Sequence, residues 1–362
     1  MKKRRLGRTN LDVSVIGFGG EWLVPSSVKY ACKMLRRAYE LGVNYFDTAR
    51  IYGNSEEKVG MALEDVRDEV VIATKTFHLF DLDAAWVDLK QSLRNLRTER
   101  VDIVLMQHID NEPTLARVMD EENSVLSVLK EARSQGKLDF IGVSGHKPYV
   151  LAKAIKTGEF DMILVPFNII TREVTEELLP LAKKLDIGVA TMKPFGGPDL
   201  RFVQYELSKI VPEKVEFNRI FGEGNVKTNR SLGYVLSHDV STTVAGFRTV
   251  EEVESAAKVG AEFTGLTQEE KAAVRFGELP PAPFCRDCAL CLRCPEGLKI
   301  PLILGLDKYL TYYGIISWTK EAYERLAVKS DSCTKCGVCE PKCPYELPII
   351  RMLDEAHKRL SK

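Results

Sequence analysis

The sequence predicts an α/β protein: a (β/α)8 TIM barrel followed by a small, mainly α-helical domain rich in cysteine. Two observations predict the barrel. Eight short β-branched runs alternate with amphipathic stretches across residues 13–247. Nearly continuous apolar runs suit parallel strands covered by helices, and eight such units close a barrel of roughly 250 residues. A third observation predicts the second domain. After the proline-rich "FGELPPAPF" (276–284), eight of the nine cysteines fall between 285 and 343. The expected boundaries are residues 1–278 for the barrel and 279–362 for the cysteine domain.

The strand candidates run in order: "VSVIGFGG" (13–20), "NYFDTA" (44–49), "EVVIATKT" (69–76), "VDIVLMQHI" (101–109), "DFIGVSG" (139–145), "DMILVPFN" (161–168), "IGVATMKPF" (187–195) and "STTVAGF" (241–247). Between them, "VKYACKMLRRAYELG" (28–42) has helical apolar spacing and ends on a glycine suited to a C-cap. "DAAWVDLKQSLRNL" (83–96), "SVLSVLKEARSQG" (124–136) and "TEELLPLAKKLD" (175–186) repeat the scheme. A doubly wound sheet is the rival architecture, and it would open its first helix with G-x-G-x-x-G. "GFGGEW" (17–22) places Trp22 at the last glycine position, so the segment reads as a glycine-rich strand end. Gly19 and Gly20 there are candidate cofactor contacts. Residues 196–230 break the rhythm and read as a long loop over the active-site face.

Composition narrows the partners. Lys plus Arg and Asp plus Glu each number 51 in 362 residues, so net charge points to neither nucleic acid nor an anionic membrane. No apolar run is long enough to span a bilayer, and the basic start lacks the apolar core of a signal peptide. The expectation is a cytoplasmic protein.

Functional groups in such barrels sit at the C-terminal ends of several strands. Asp47 ends the second strand with Tyr52 in the next loop, Lys75 ends the third, and His108 ends the fourth. Carbonyl reduction needs this set. As hydride reaches the carbonyl carbon, charge builds on oxygen and a proton must be supplied. Tyr52 can donate it. Lys75 would lower the tyrosine pKa, Asp47 would anchor Lys75, and His108 would hydrogen-bond the carbonyl oxygen. Singly, each residue reads as packing or solvated charge; on successive strand ends they read as a site. His146 follows another strand end, but a histidine there is commonly structural.

The segments "LGRTNLDVSVIGFGG", "GVNYFDTARIYGNSE", "VIATKT", "IGVSGH" and "VAGFRTVEEVE" resemble the aldo/keto reductase family over residues 3–275. The resemblance implies a (β/α)8 barrel with NAD(P)(H) at the strand C-termini. It implies the tetrad Asp47, Tyr52, Lys75 and His108, and a small carbonyl or alcohol substrate. The chain departs from the family pattern in places. The strand before His108 is one residue longer than usual, and a bulge is expected to absorb it. Ser144-Gly145 stands where Ser-Asn often holds the nicotinamide amide. Leu164 replaces a common Gln, and Met192 replaces a stacking aromatic. Lys193 would approach the pyrophosphate. "GFRTVEEVE" (246–254) matches the segment that grips an adenosine 2′-phosphate, with Arg248 favouring NADP over NAD and Glu252 opposing it.

"CRDCALCLRCP" supplies Cys285, Cys288, Cys291 and Cys294, and "CTKCGVCEPKCP" supplies Cys333, Cys336, Cys339 and Cys343. The second run is C-x2-C-x2-C-x3-C-P, a [4Fe–4S] pattern in which the fourth cysteine serves the other cluster of a pair. Two clusters are therefore expected: one on Cys285, Cys288, Cys291 and Cys343, the other on Cys333, Cys336, Cys339 and Cys294. Zinc would favour paired C-x2-C motifs instead. The helical stretches 300–327 and 348–360, with these motifs, resemble the α-helical dicluster ferredoxin domain that some aldo/keto reductases carry. Nicotinamide moves two electrons as hydride, whereas clusters move one at a time. The clusters are therefore expected to be structural or to face a ferredoxin or other electron carrier. A ferredoxin-linked enzyme with a further cofactor and a redox-sensing binding protein are the alternative readings.

Overall fold

The structure, a computed structural model, describes residues 1–120, 124–169, 171–195, 231–267, 284–286, 290–313 and 316–361. The chain divides into two compact units. One is built on Met1–Pro194 and Thr228–Gln268, and the second takes in Glu269–Lys362. The 196–230 stretch and the expected boundary near 278 lie outside the described residues.

The first unit is a closed barrel of eight parallel strands. In chain order they are β3 (Ile16–Gly19), β4 (Tyr45–Asp47), β5 (Val71–Thr76), β6 (Val101–Met106), β7 (Leu138–Ser144), β8 (Met162–Pro166), β9 (Gly188–Met192) and β10 (Thr242–Gly246). They close in the order β10-β3-β4-β5-β6-β7-β8-β9. Each of the eight runs read from the sequence as barrel strands overlaps one barrel strand. The helices Val28–Glu40, Leu82–Asn95 and Val250–Glu262 begin on side-chain caps from Ser27, Asp81 and Thr249, each accepting an N–H of the first turn.

The expected first strand, 13–20, is in fact two elements. β1 (Lys3–Arg5) and β2 (Asp12–Ser14) form an antiparallel hairpin outside the barrel, and β3 starts at Ile16. Val15 separates them by donating its N–H to the Lys2 carbonyl. Leu6 and Val13 from this hairpin region join Tyr45, Ile103, Leu105, Met162 and Leu164 in the barrel's interior cluster. Gly7 has φ +48, and a Cβ there would lie 2.2 Å from the Gly188 nitrogen. The hairpin region thus packs on the start of β9, at the end of the barrel away from the site. That frees the opposite rim for chemistry.

Register aligns that rim. Gly19 pairs with Asp47, Asp47 with Ala73, Lys75 with Leu105, and Ser144 with Leu164. The β6–β7 ladder keeps one register from Val101↔Leu138 to Met106↔Val143, so no bulge absorbs the extra residue before His108. The strand ends at Met106, and His108 takes a left-handed backbone (φ 61) beyond it.

In the second unit, helices span Ile300–Tyr313, Ile316–Glu324 and Ile349–Leu360, as the sequence leads one to expect. Arg359 bonds Asp307 through two 2.7 Å contacts, joining the first and last of them. No helix among the described residues is long and apolar enough to cross a membrane.

Candidate active site

Two side-chain groups occupy the C-terminal rim of the barrel. The first is built from β4, β5 and the loop after β4. Lys75 Nζ donates to Asp47 Oδ1 at 2.5 Å and to the Thr48 carbonyl at 2.7 Å. Both Lys75 and Asp47 are buried. The other Asp47 oxygen, Oδ2, is buried without a hydrogen-bond partner among the described residues. Burial raises the Asp47 carboxyl, and the Lys75 ammonium offsets part of that rise. Lys75 Nζ also lies 4.9 Å from the centroid of the Tyr52 ring. Asp47, Tyr52 and Lys75 are therefore brought together as the sequence leads one to expect.

The electrostatics of Tyr52 differ from expectation. Burial pushes its phenol well above the ordinary tyrosine value, and the carboxylates of Glu21 and Asp47 push the same way. Lys75 does not reverse this. Its charge is matched by Asp47, and it faces the ring. The phenol is accordingly held in its protonated, donor form.

The second group surrounds His108. Its ring is stacked on His146, with centroids 5.7 Å apart and planes 10° from parallel. Asp110 lies between them, with Oδ2 3.7 Å from His108 Nδ1 and 3.3 Å from His146 Nδ1. The Asp110 carboxyl is held well below the usual range by hydrogen bonds from both histidines, against the opposing effect of burial. On the far side of His146, Nε2 is 3.2 Å from Lys193 Nζ. Burial, then the Lys193 charge, lowers the His146 pKa to about 4. His146 and Asp110 are the residues sequence reasoning missed. The signal was available in "QHID" and "SGH": Gly145 lets the His146 loop lie against Ile109, because a Cβ there would meet the Ile109 carbonyl at 2.5 Å.

The expected nucleotide contacts are distributed around the same rim. Ser144, at the end of β7, is buried and donates Oγ–H to the Met106 carbonyl at 3.4 Å. Met192 is half-buried at the end of β9 and packs against the interior cluster. The Gly19 and Gly20 backbones are closely approached by neighbouring parts of the barrel. A Cβ on Gly20 would meet Ser55 Oγ at 2.5 Å, and one on Gly19 would meet the Ala245 carbonyl at 3.1 Å. Trp22 lies over the β10 end, where a Cβ on Gly246 would strike it, and the Arg248 guanidinium stands 4.2 Å from its ring centroid. Glu252 Oε2 accepts the Arg248 backbone N–H at 2.7 Å, while Thr249 caps the following helix by accepting the Glu252 N–H. This is a capping-box arrangement shifted by one residue.

In the second unit, Cys294, Cys333, Cys336 and Cys339 line one pocket with Pro295, Ile300 and Leu353. Lys335 (φ 57) and Gly337 (φ 75) turn the chain left-handed between these thiols, which lets a short loop surround one point. Burial raises the Cys339 thiol, and nearby Glu340, Cys333 and Cys294 add to the rise. Four thiols converging on one pocket, with Glu296 also on its lining, suit a cubane cluster. Cys285 and Cys291 are buried and Cys343 is half-buried, while Cys288 lies outside the described residues. The Arg286 guanidinium stands 5.4 Å from the Tyr345 ring centroid, so the start of the first run lies beside the end of the second.

Comparison with known proteins agrees with this geometry. Residues 15–275 match the aldo/keto reductase family model, and residues 284–348 match a 4Fe-4S dicluster domain. The uncharacterized oxidoreductase YqkF of Bacillus subtilis is 26% identical over 304 residues, covering 76% of this chain and 96% of that protein. L-galactose dehydrogenase of Arabidopsis thaliana is 30% identical over 301 residues, covering 75% of this chain and 92% of its own. The holo form of the aldo-keto reductase AKR11C1 from Bacillus halodurans superposes with a TM-score of 0.60 at 25% identity, covering 76% of this chain and 95% of that one. The barrel, its rim and these matches together place the chain in the aldo/keto reductase family, as an oxidoreductase with a C-terminal 4Fe-4S dicluster domain.

Proposed function

We propose that this protein reduces an aldehyde or ketone to an alcohol, or runs the reverse, with Tyr52 as the proton donor and a reduced nicotinamide nucleotide as its partner. The observation that carries the reading is the Asp47–Lys75–Tyr52 group on adjacent strand ends. When bound, the nucleotide supplies hydride to the carbonyl carbon. Tyr52 gives its phenolic proton to the carbonyl oxygen. The Lys75 ammonium, 4.9 Å from the ring centroid, stabilises the phenolate that remains. Asp47 keeps Lys75 in place through its 2.5 Å bond, and its second oxygen is free to accept a ribose hydroxyl. His108 hydrogen-bonds and orients the carbonyl oxygen. Ser144 and Met192 would border the nicotinamide, with Gly19 and Gly20 bringing backbone close to the nucleotide. Lys193 would meet the pyrophosphate; no carboxylate lies within ion-pair distance of its ammonium among the described residues.

The choice of nucleotide turns on Arg248 and Glu252. Arg248 led the sequence reading toward NADP, but the Glu252 carboxylate sits on the Arg248 backbone N–H at a helix start, where a 2′-phosphate would bind. The Glu252 carboxylate would repel a 2′-phosphate there, and that repulsion favours NADH.

The dicluster domain would hold one [4Fe–4S] cluster on Cys294, Cys333, Cys336 and Cys339. Cys285, Cys288, Cys291 and Cys343 would hold the second. Such clusters exchange single electrons and would face a ferredoxin or similar carrier, outside the path of hydride. An anaerobic titration with NADH and with NADPH, with and without a panel of carbonyls, tests the whole reading. Nicotinamide consumed only with a carbonyl, while cluster absorbance holds, is the expected result. Clusters that bleach with nucleotide alone would refute the separation.

A further inference from the structure

We infer that His146 is a positioning residue of this site, tying the rim after β6 to the rim after β9 through one imidazole. The inference rests on the carbonyl-reduction reading above.

The hydrogen bonds decide how the ring is used. The His146 backbone N–H donates to Asp110 Oδ1, and its ring Nδ1 lies 3.3 Å from Asp110 Oδ2. Across the ring, Nε2 is 3.2 Å from Lys193 Nζ. An ammonium has only donors, so Nε2 must accept. The ring proton is then on Nδ1 and is given to Asp110. His146 thus joins a carboxylate after β6 to a cation after β9, while its face supports the His108 ring.

The backbone is shaped around this arrangement. His108 (φ 61) and Lys193 (φ 60) both take left-handed conformations that a residue with a side chain adopts at a cost. The Lys193 carbonyl is held by Asn168 Nδ2 at 2.9 Å. The Ile109 N–H donates to the Ser144 carbonyl at 2.9 Å. A Cβ on Gly145 would come within 3.1 Å of Asp110 Oδ1. The glycine that stands in place of a family Asn is therefore what lets His146 reach Asp110. His146 stays uncharged in these surroundings to about pH 4, so it holds Lys193 without adding a repelling charge.

A metal centre is the competing use of the same atoms. One ligand atom from each of His108, Asp110 and His146 lies within 4.8 Å of the others, close enough for a divalent cation to bridge. Against it, Nδ1 of His146 carries a proton as long as Nε2 accepts from Lys193, and the ammonium itself would repel a dication.

The test uses the full-length, cluster-loaded protein with His146→Gln and His146→Phe. A glutamine amide can donate to Asp110 and accept from Lys193, whereas phenylalanine keeps only the stacking face. Nucleotide Kd is read by quenching of tryptophan fluorescence, and kcat and KM by carbonyl-dependent nicotinamide oxidation. We expect His146→Phe to weaken nucleotide binding and lower kcat, each by about tenfold or more, as loss of a hydrogen bond to a charged group does. His146→Gln should stay within about threefold on both, with cluster absorbance unchanged. The inference is overturned if Phe matches the parent in Kd and kcat, or if Gln and Phe fail equally. Stoichiometric Zn2+ binding that both variants abolish would overturn it too, by making His146 a ligand. Should the parent protein bind nucleotide but turn over no carbonyl, the proposed reaction fails, and the Kd arm still decides the role of His146.

Discussion

The two units build their sites in opposite ways. In the barrel, Asp47 and Tyr52 follow β4, Lys75 lies on β5 and His108 follows β6, and parallel register gathers these three strand ends on one rim. In the dicluster domain, Cys333, Cys336 and Cys339 lie in a single short loop, wound by left-handed residues around a pocket that Cys294 completes. The barrel site is thus specified by fold, and the cysteine site by spacing. The contrast teaches where each is vulnerable: the first to changes in electrostatics and orientation, the second to loss of a single ligand.

The largest effects are expected where ligands are all-or-none. In a chain with Cys333, Cys336 and Cys339 all changed to serine, one cluster should remain. If each run lends its last cysteine to the other, adding Cys343→Ser should remove that cluster, while adding Cys294→Ser should leave it. Iron content and visible absorbance under anaerobic conditions read the difference. The opposite pattern would mean that each run holds its own cluster, and spacing alone would then define the sites.

Next is the proton donor. Tyr52→Phe keeps the ring over Lys75 and removes the acid, so kcat should fall by about 10²- to 10⁴-fold with little change in nucleotide Kd. Cluster absorbance should be untouched, which separates the two units experimentally. Activity within tenfold of the parent would remove Tyr52 from the chemistry.

The barrel and the grouping of Asp47, Tyr52 and Lys75 were legible in the sequence because parallel strands are continuous apolar runs and these residues stand at or just past their ends. The N-terminal hairpin was not. "VSVIGFGG" has one polar residue, Ser14, and the break at Val15 is set by a hydrogen bond to Lys2, which no local pattern announces. The sign of the Tyr52 shift was also hidden. It depends on burial, on Glu21 in the short 3-10 helix Gly20–Leu23 after β3, and on Asp47. His146 was dismissed for the same reason: its partners Asp110 and Lys193 lie 36 and 47 positions away. By contrast, the shared pocket of Cys294 with the second cysteine run was readable from spacing, since ferredoxin-type motifs fix the crossing of the fourth ligand.

A smaller effect should appear in stability. His146 titrates near 4 when folded and near its ordinary 6.5 when unfolded, with Asp110, His108 and Lys193 facing it. Between those values the unfolded chain binds more protons, so stability should fall as pH drops from 6.5 toward 4, by about 3 kcal/mol at most. Denaturant unfolding followed by tryptophan fluorescence should show this slope in the parent and a flatter one in His146→Gln. An equal slope in both would assign it to other groups.

The smallest change expected is in nucleotide choice. Glu252 holds the Arg248 backbone N–H with a full negative charge. Glu252→Gln keeps a hydrogen-bond acceptor there while removing the charge that opposes a 2′-phosphate. The NADPH-to-NADH ratio of kcat/KM should rise by about tenfold, the worth of one charge-assisted contact at a partly exposed site. Glu252→Ala should raise it less, because the lost cap loosens the helix start that carries Arg248. If neither substitution moves the ratio, the 2′ position of the ribose lies away from Arg248, and nucleotide choice is set elsewhere on the rim.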